Sequence, residues 1–167
     1  MCRHIGYIGK EKLLSEVLIN KKHSLLEQAY RPKEMKNATL NADGFGIGWY
    51  NSRKLFSYKS NLPIWNDPNL SAITNNIKSK LIFGNVRSAT LSSDIGHHNT
   101  HPFEWKNFLF SHNGFIKDFE NSTKEKIIKF VDSKILSQIK GNTDSEYIFF
   151  LLIHFYLKEK NFFKTIE

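Results

Sequence analysis

The chain has a single cysteine, and it is the second residue, Cys2. Cysteine is small enough to permit removal of the initiator Met1, which would leave Cys2 with a thiol and a free α-amine on one residue. The reference pKa values, about 8.5 for the thiol and about 7.7–8.0 for the amine, place a nucleophile and a base together near neutral pH. Against this, most lone cysteines are simply small buried hydrophobic residues. Residues 5–9 (IGYIG) predict a strand that would hold Cys2 at its end.

A second polar group follows a predicted buried strand at residues 80–86. Arg87 comes at the end of this strand, and the hydroxyls of Ser88 and Thr90 follow it. A guanidinium group binds a carboxylate through two parallel hydrogen bonds, and Thr90 can add another. The alternative is that Arg87 is a strand-edge residue in a surface ion pair.

Residues 96–103 (GHHNTHPF) contain three histidines, His97, His98 and His101. Clustered histidines are typical of a metal site. However, no cysteine or carboxylate accompanies them at ligand spacing, so we favour histidines that shape a loop by hydrogen bonding. The sequence therefore calls for no metal and no cofactor.

Two further pairs of interpretations remain open. Asn113 and the backbone N–H of Gly114, placed directly after a predicted strand, can both point at one oxygen, as in an oxyanion hole. Asn-Gly is also the commonest tight hairpin turn, and the residues alone favour the turn. Asp144 is either a helix-cap residue or a carboxylate that binds a substrate ammonium group.

Together these residues indicate one kind of ligand. An amino acid offers a carboxylate to Arg87 and an ammonium group to Asp144, while an amide carbon attacked by Cys2 needs oxyanion donors such as Asn113 and Gly114. The inferred ligand is glutamine or another γ-glutamyl compound.

With these residues in place, the chain resembles a class II glutamine amidotransferase of the N-terminal-nucleophile superfamily. It is most similar to the small stand-alone branch related to the ergothioneine-pathway γ-glutamyl amidohydrolase. Six short motifs carry the resemblance, in the family's order and over nearly the whole chain: residues 1–3 (MCR), 43–49 (DGFGIGW), 86–90 (VRSAT), 99–103 (NTHPF), 112–114 (HNG) and 143–146 (TDSE).

The resemblance implies a role for each candidate residue. Cys2 is the nucleophile and its α-amine is the base. Arg87 and Thr90 hold the substrate carboxylate, Asp144 takes the substrate ammonium, and His112 joins this substrate-binding group. Asn113 and Gly114 form the oxyanion hole, and the loop through His98 and His101 lines or covers the pocket. The family's histidines in this loop are not metal ligands.

The composition excludes several other classes of protein. Lys and Arg outnumber Asp and Glu by 24 to 16, but no run of five or six basic residues appears, so we expect no nucleic-acid partner. One cysteine argues against a disulfide scaffold. No N-terminal signal segment and no apolar run near 18 residues is present, so we expect no membrane partner and a cytoplasmic location.

Alternating and helical periodicities predict the elements that position these residues. Predicted strands lie at residues 5–9, within 41–50, and at 55–59, 80–86 and 107–111. Predicted helices cover residues 12–30, with a second turn or two from Ser24, residues 67–78 with Asp67 as N-cap, residues 123–140, and residues 147–158 after a capping box at Thr143. The last helix is apolar nearly all round, so we expect it to be buried between layers.

The resemblance implies an α+β fold, an αββα sandwich of two antiparallel sheets. The prediction is a single domain over residues 1–167 that starts functionally at Cys2 and is incomplete at its C-terminus, because family domains are considerably longer. The predicted function is an amidohydrolase that cleaves the γ-amide of glutamine or a γ-glutamyl compound through a Cys2 thioester. The alternative is a non-catalytic remnant or a ligand-binding subunit of a split amidotransferase. Candidate partners are a separate ammonia-accepting subunit or a second copy of the chain in a homo-oligomer.

Overall fold

The computed structural model describes residues 2–32, 40–89, 95–161 and 164–165. The chain divides into two compact units, Met1–Asn113 and Gly114–Glu167. The described residues form helices and two antiparallel sheets, which confirms the predicted α+β class with two antiparallel sheets.

The first unit contains a four-stranded antiparallel sheet with the strand order β1-β4-β2-β3. Its strands are β1 (Arg3–Leu13), β2 (Phe45–Asn51), β3 (Lys54–Ser60) and β4 (Lys78–Val86). All four overlap predicted strands, and β1 runs well beyond the predicted residues 5–9. Strands β2 and β3 form a hairpin whose turn residues, Ser52 and Arg53, have positive φ angles of 49° and 66°. Two positive φ angles match the right-handed twist of the flanking strands.

One face of this sheet packs against helices, and we call it the helix face. Helices α1 (Leu14–Leu18) and α2 (Leu25–Tyr30) lie within the predicted helical region 12–30. Their leucines pack against strand residues that alternate along β2 and β4 and are fully buried. This apolar core includes Leu14, Leu18, Leu25, Phe45, Ile47, Ile82 and Val86.

Helix α3 (Leu70–Asn76) is shorter than predicted. It begins after Asn69, so the prediction that Asp67 is its N-cap is wrong. The Asp67 carboxylate instead accepts the Asn69 backbone N–H at 2.9 Å and the Tyr58 hydroxyl at 3.0 Å. Asp67 therefore stabilises the turn that precedes the helix, and the first helical turn starts three residues later.

The opposite face of the four-stranded sheet, the inter-sheet face, packs against a second sheet formed by β5 (Phe103–Trp105) and β6 (Phe108–Phe110). Gly46 and Gly48 of β2 lie on this face. A Cβ at Gly46 would overlap the His101 carbonyl oxygen, and one at Gly48 would overlap the Leu109 side chain. The Tyr50 hydroxyl also donates to the Asn107 carbonyl at 2.7 Å. Glycine at these two positions lets the second sheet approach the main chain of β2 closely.

The second unit starts its helical part with a π-helical turn, Phe119–Thr123, which leads into α4 (Lys124–Phe130) and α5 (Ser133–Leu136). The prediction of one helix over residues 123–140 is wrong, because the chain is extended at Val131. The Asp132 side chain accepts the Lys134 N–H at 2.8 Å and so caps α5. The Asp132 N–H in turn donates to His154 Nδ1 at 3.3 Å. These two hydrogen bonds stabilise the break.

Helical periodicity over residues 123–140 predicts an inward face formed by Ile127, Ile128, Val131, Ile135, Leu136 and Ile139. Only part of this face is observed, and Leu136 and Ile139, which follow the break, are half-buried. Ile127, Val131 and Ile135 are buried, whereas Ile128 is 44% exposed and does not face inward. Breaking the helix after Phe130 changes the angular phase of the residues that follow, so a single helical periodicity cannot place all of them.

Helix α6 (Asp144–Glu159) begins at the predicted cap residue, Thr143, whose hydroxyl accepts the Glu146 N–H at 3.3 Å. The reciprocal half of the predicted capping box is replaced by another contact, because the Glu146 carboxylate accepts the N–H groups of Lys140 (3.0 Å) and Gly141 (2.7 Å). The helix buries Phe149, Phe150 and Ile153 but leaves Leu157 41% exposed, so it is less completely covered than predicted. No helix among the described residues is long and apolar enough to cross a membrane.

Candidate active site

Cys2 lies directly before β1, beside the end of β4. The register pairs Arg3 with Val86, which places Cys2 opposite Arg87 where the two strands end. The Ser88 N–H donates to Cys2 Sγ at 3.4 Å, and Sγ lies 3.7 Å from the Ser88 carbonyl oxygen. The cysteine is half-buried and free of any disulfide. A backbone N–H aimed at the sulfur can stabilise negative charge there.

Arg87 is held next to this cysteine and is only 3% exposed. Its backbone N–H donates to the Gly44 carbonyl at 2.9 Å, and its carbonyl accepts the Asp43 N–H at 3.1 Å. The Asp43 carboxylate accepts the Ala89 N–H at 2.7 Å. Residues 43–44 therefore extend the pairing of β2 with β4 and fix the backbone of residues 87–89. A buried Arg87 does not fit the alternative of a surface ion pair, and Thr90 lies outside the described residues.

The segment that follows β6 makes two contacts around the start of β1, one with a backbone carbonyl and one with a side chain. The Asn113 amide donates to the Cys2 carbonyl at 3.2 Å, and the Ser111 hydroxyl lies 3.3 Å from His4 Nδ1. The residue after Asn113 belongs to the second unit, and the chain continues from there into the π-helical turn at Phe119. Asn113-Gly114 therefore does not connect two strands of a tight hairpin, which was the interpretation that the residues alone favoured.

The histidines of the predicted pocket loop occupy different environments. His98 is exposed on a short 3₁₀ turn, His97–Asn99, whereas His101 is only 5% exposed between the two sheets. Burial lowers the pKa of His101 to about 3, with further contributions from His4 and Arg87. His101 is therefore a neutral imidazole at neutral pH. The described residues include no group of three or more His, Cys, Asp or Glu side chains placed to hold a metal ion.

His112 is half-buried and lies close enough to His4 to contribute to lowering the pKa of that histidine, after the larger effect of burial. The site within the first unit therefore brings together Cys2, Arg87, His112 and Asn113 from the predicted set.

Asp144 belongs to the second unit, where it is the first residue of α6. Its carboxylate accepts the Ile116 N–H at 2.6 Å and the Ser145 hydroxyl at 3.1 Å. The helix-cap alternative assigned capping to Asp144, but Thr143 is the residue that caps. Asp144 instead attaches the segment that follows Gly114 to the start of α6.

Several residues that build this site have no role in the prediction from sequence. Asp43 fixes the backbone after Arg87, and Asn85 and His4 share the inter-sheet face with Cys2. The signal that could have found His4 is its two-residue spacing from Cys2, which places both side chains on one face of a strand. Both residues precede the predicted strand at residues 5–9, so the spacing gains meaning only because the observed β1 begins at Arg3. Ser111 carried no such signal, because its contact with His4 joins residues 107 positions apart.

A comparison with known families shows which family the chain belongs to. The model of the family "Glutamine amidotransferases class-II" matches residues 20–165. The chain therefore belongs to the class II glutamine amidotransferases.

Individual relatives are similar at about one third identity. The chain is 33% identical over 162 residues to DUG3, a probable glutamine amidotransferase of Saccharomyces cerevisiae, an alignment that covers 92% of this chain and 45% of that protein. It is 31% identical over 117 residues to a γ-glutamyl-hercynylcysteine sulfoxide hydrolase of Mycolicibacterium smegmatis, covering 70% of this chain and 52% of that protein. The chain thus spans about half the length of the curated relatives it matches.

A solved structure shares the fold. A glutamine aminotransferase class-II domain protein from Silicibacter pomeroyi superposes with a TM-score of 0.66 at 24% identity, over 96% of this chain and 57% of that one. The likeness at this level of identity concerns the fold alone.

Proposed function

We propose that the chain is a glutamine amidotransferase-like amidohydrolase, which cleaves the γ-amide of glutamine or of another γ-glutamyl compound through a thioester on Cys2. The observation that carries the proposal is the position of Cys2 Sγ. It accepts the Ser88 N–H at 3.4 Å, next to the buried Arg87 and beside the Asn113 amide. A nucleophile, a fixed cation and an amide donor thus meet where two neighbouring strands end.

In this proposal the first half of the reaction forms the thioester. Removal of Met1 frees the Cys2 α-amine, which accepts the thiol proton as Sγ attacks the γ-carbonyl carbon. The same proton then passes to the departing ammonia or amine. Arg87 and Thr90 bind the substrate carboxylate, and Asp144 binds the substrate ammonium. His112 belongs to the same substrate-binding group.

The oxyanion of the tetrahedral intermediate needs donors that are already in place. The Asn113 side chain carries two N–H groups, so one can hold the Cys2 carbonyl, as observed at 3.2 Å, while the other faces the oxyanion. The backbone N–H of Gly114 is the second donor, and the loop through His98 and His101 lines the pocket.

The second half of the reaction hydrolyses the thioester and releases glutamate. Either hydrolysis is the whole activity, or a separate subunit takes the ammonia; a homo-oligomer is the other candidate assembly. The similarity to a γ-glutamyl-hercynylcysteine sulfoxide hydrolase supports the first of these. The single-domain organisation over residues 1–167 and a cytoplasmic location belong to the same proposal.

The glutamine-mimicking electrophile 6-diazo-5-oxo-norleucine tests this function. We expect intact mass measurement to show one adduct on the chain that lacks Met1 and none on Cys2→Ala. Arg87→Gln should label at least about tenfold more slowly, because the amino-acid carboxylate of the reagent loses its partner. Arg53→Gln, which changes an exposed arginine on the β2–β3 turn, is the matched control and should label normally.

A chain confirmed to have lost Met1 that forms no adduct would contradict the proposal. The non-catalytic remnant or binding subunit would then be the better interpretation. Binding of glutamine without turnover, measured by calorimetry on the same sample, would identify it.

A further inference from the structure

Asn113 directly precedes Gly114, and it is the one asparagine of the chain that is followed by a glycine. Asparagine is a thermolabile residue, because its side-chain amide can react with the main-chain nitrogen of the next residue. A glycine at that next position has no Cβ to shield the nitrogen, and it lets the backbone bend freely. The Asn113-Gly114 pair is therefore the site in the sequence best suited to deamidation.

The fold leaves this pair accessible. Asn113 and Gly114 are both exposed, and along the chain they lie between β6 and the π-helical turn at Phe119, outside helices and strands. Among the described residues, the Gly114 N–H has no main-chain acceptor. A main-chain hydrogen bond normally restrains this nitrogen, so Gly114 N can approach the Asn113 amide.

The Asn113 side chain touches the residue that carries the nucleophile. Its Nδ2 donates to the Cys2 carbonyl at 3.2 Å, and this is its one hydrogen bond to the described part of the chain. The bond engages the nitrogen that leaves in deamidation and not the carbon that is attacked. A change at this amide consequently acts directly on the surroundings of Cys2.

We propose that Asn113 is a site of spontaneous deamidation, and that the reaction inactivates the chain by replacing the amide beside Cys2 with a carboxylate. The deamidation itself depends only on the Asn113-Gly114 pair and on water. The loss of activity rests on the proposed function, in which Asn113 donates a hydrogen bond to the oxyanion.

The reaction balances with water as its one co-reactant. The Gly114 main-chain nitrogen bonds to Asn113 Cγ, and the bond from Cγ to Nδ2 breaks. Nδ2 takes the proton that the Gly114 nitrogen loses and leaves as ammonia, so that a cyclic imide remains. Water then adds to one of the two carbonyl carbons of the ring, and the ring nitrogen regains a proton. The product is aspartate or isoaspartate, depending on which carbon is attacked.

Both products remove a donor from the candidate active site. An ionised carboxylate accepts hydrogen bonds but cannot donate them, so it repels the Cys2 carbonyl and a substrate oxyanion. Isoaspartate also routes the main chain through the former side-chain carbon, which displaces the Gly114 N–H. A ligand that engages the Gly114 N–H should have the opposite effect, because it restrains the attacking nitrogen.

Ageing of the Met1-free chain at mildly alkaline pH, with a thiol reductant present to protect Cys2, tests the proposal. Peptide mapping by mass spectrometry should show the conversion of amide to acid at Asn113 first. Asn107 is also exposed outside helices and strands, but Phe108 follows it, so it should stay unchanged over the same period. The fraction of chains that 6-diazo-5-oxo-norleucine labels in a fixed time should fall in proportion to the deamidated fraction.

Two variants and one ligand state sharpen the result. Asn113→Asp carries the acid from the start and should label much more slowly than the fresh wild-type chain. Gly114→Ala places a methyl group beside the attacking nitrogen and should slow deamidation several-fold. A wild-type chain labelled by 6-diazo-5-oxo-norleucine before ageing should also deamidate more slowly, because the bound group engages the Gly114 N–H.

A peptide of residues 110–117 (FSHNGFIK) serves as the unfolded reference. If the peptide deamidates while the folded chain keeps its Asn113 amide over the same period, the fold protects this site and the inference is wrong. If the folded chain deamidates and still labels at the fresh rate, the inferred loss of activity is wrong. A fresh chain without Met1 and with intact Asn113 that does not label would instead overturn the proposed function, and peptide mapping would still decide the deamidation.

Discussion

The two faces of the four-stranded sheet are built by the same strands but are packed in different ways. The helix face is apolar, and Phe45, Ile47 and Ile82 lie against leucines of α1 and α2 with no exposed surface. The inter-sheet face holds Asn85, Arg87 and His101, which are equally buried but polar. Burying apolar surface stabilises a fold, whereas burying polar groups costs free energy unless each finds a partner.

Under the proposed function, the helix face supplies most of the stability and the inter-sheet face supplies the reacting groups. Cys2, Arg87 and Asn113 meet at the edge of the inter-sheet face, where the strands end. The helix face contributes the rigid backbone on which these groups are mounted. Substitutions on the two faces should consequently have separable effects on unfolding and on reaction with substrate.

The largest expected loss of stability comes from the helix face. Phe45→Ala removes a fully buried ring and should lower the free energy of unfolding by about 3–5 kcal/mol, because the cavity it leaves is lined by rigid strands and helices. Phe56 of β3 is 44% exposed, so Phe56→Ala is the matched control and should cost less than about 1 kcal/mol. Chemical denaturation measures both. Equal losses would show that the helix face is not the main source of stability.

The inter-sheet face should make stability depend on pH. His101 has a pKa of about 3 in the folded chain, against the ordinary 6.5 in the unfolded chain. Between these values the unfolded chain binds a proton that the folded chain does not, so stability is complete above about pH 6.5 and falls as the pH drops toward 3. The loss at pH 4 should be on the order of 3 kcal/mol, since each pKa unit corresponds to ~1.4 kcal/mol.

His101→Phe tests the cause of this dependence. The variant should show a flatter profile of unfolding free energy between pH 7 and pH 4, with the remaining slope due to other buried histidines such as His154, whose pKa is also lowered by burial. An unchanged profile would exclude His101 as the main titrating group.

Adding one methyl group to a glycine on each face sharpens the comparison. Gly46→Ala would place its Cβ on the His101 backbone carbonyl, which cannot move alone, so we expect a loss of about 1–3 kcal/mol and slower labelling of Cys2. A Cβ at Gly84 meets side chains alone: the ends of Leu18 and Leu25, at 2.7 and 2.8 Å, which can rotate away, and Ile5 Cγ2 at 3.2 Å, which has to give by only a few tenths of an ångström. We therefore expect a smaller loss of stability and normal labelling of Cys2 in Gly84→Ala. A larger loss of stability in Gly84→Ala than in Gly46→Ala would contradict this difference between the two faces.

The smallest effect on stability is expected at the partly exposed edge of the inter-sheet face. Lys59 lies 3.6 Å from Glu104, and both side chains are partly exposed. Lys59→Met should change the free energy of unfolding at pH 7 by less than about 1 kcal/mol. Because Lys59 helps to lower the pKa of His101, the acid-induced loss of stability should become slightly smaller in this variant. A larger loss at low pH would contradict the assignment.

The sequence predicted elements better than it predicted their ends. Alternation and glycine content located all four strands of the main sheet, since these signals are local. The predictions of a helix starting at Asp67 and of a single helix over residues 123–140 were wrong, because side-chain hydrogen bonds determine where the helices begin and end. Asp67 bonds the turn before α3, and Asp132 caps a new helix where Val131 is extended.

Local sequence signals predict even less of the candidate site than of the helix ends. Cys2 and Arg87 could be found from their positions relative to predicted strands. The buried state of His101 and the Ser111–His4 contact could not, because both depend on where the second sheet packs, and nothing local in the sequence specifies that. The interpretation of Asn113-Gly114 as a tight hairpin turn could likewise be rejected only from the structure, in which the Asn113 amide contacts the Cys2 carbonyl and the chain leads on to the π-helical turn.

The glycines of β2 restrict how this protein can vary. On the helix face, a larger strand residue can be accommodated when a leucine of α1 or α2 is replaced by a smaller residue. Pairs of positions on this face can therefore change together. The neighbour of Gly46 is the main-chain carbonyl of His101, and the neighbour of Gly48 is the side chain of Leu109 in β6. A carbonyl cannot be made smaller by substitution, so Gly46 has no compensating partner. Chains of this family that keep the second sheet at the same distance should therefore retain glycine at Gly46, while the helix-face positions drift in size as coupled pairs.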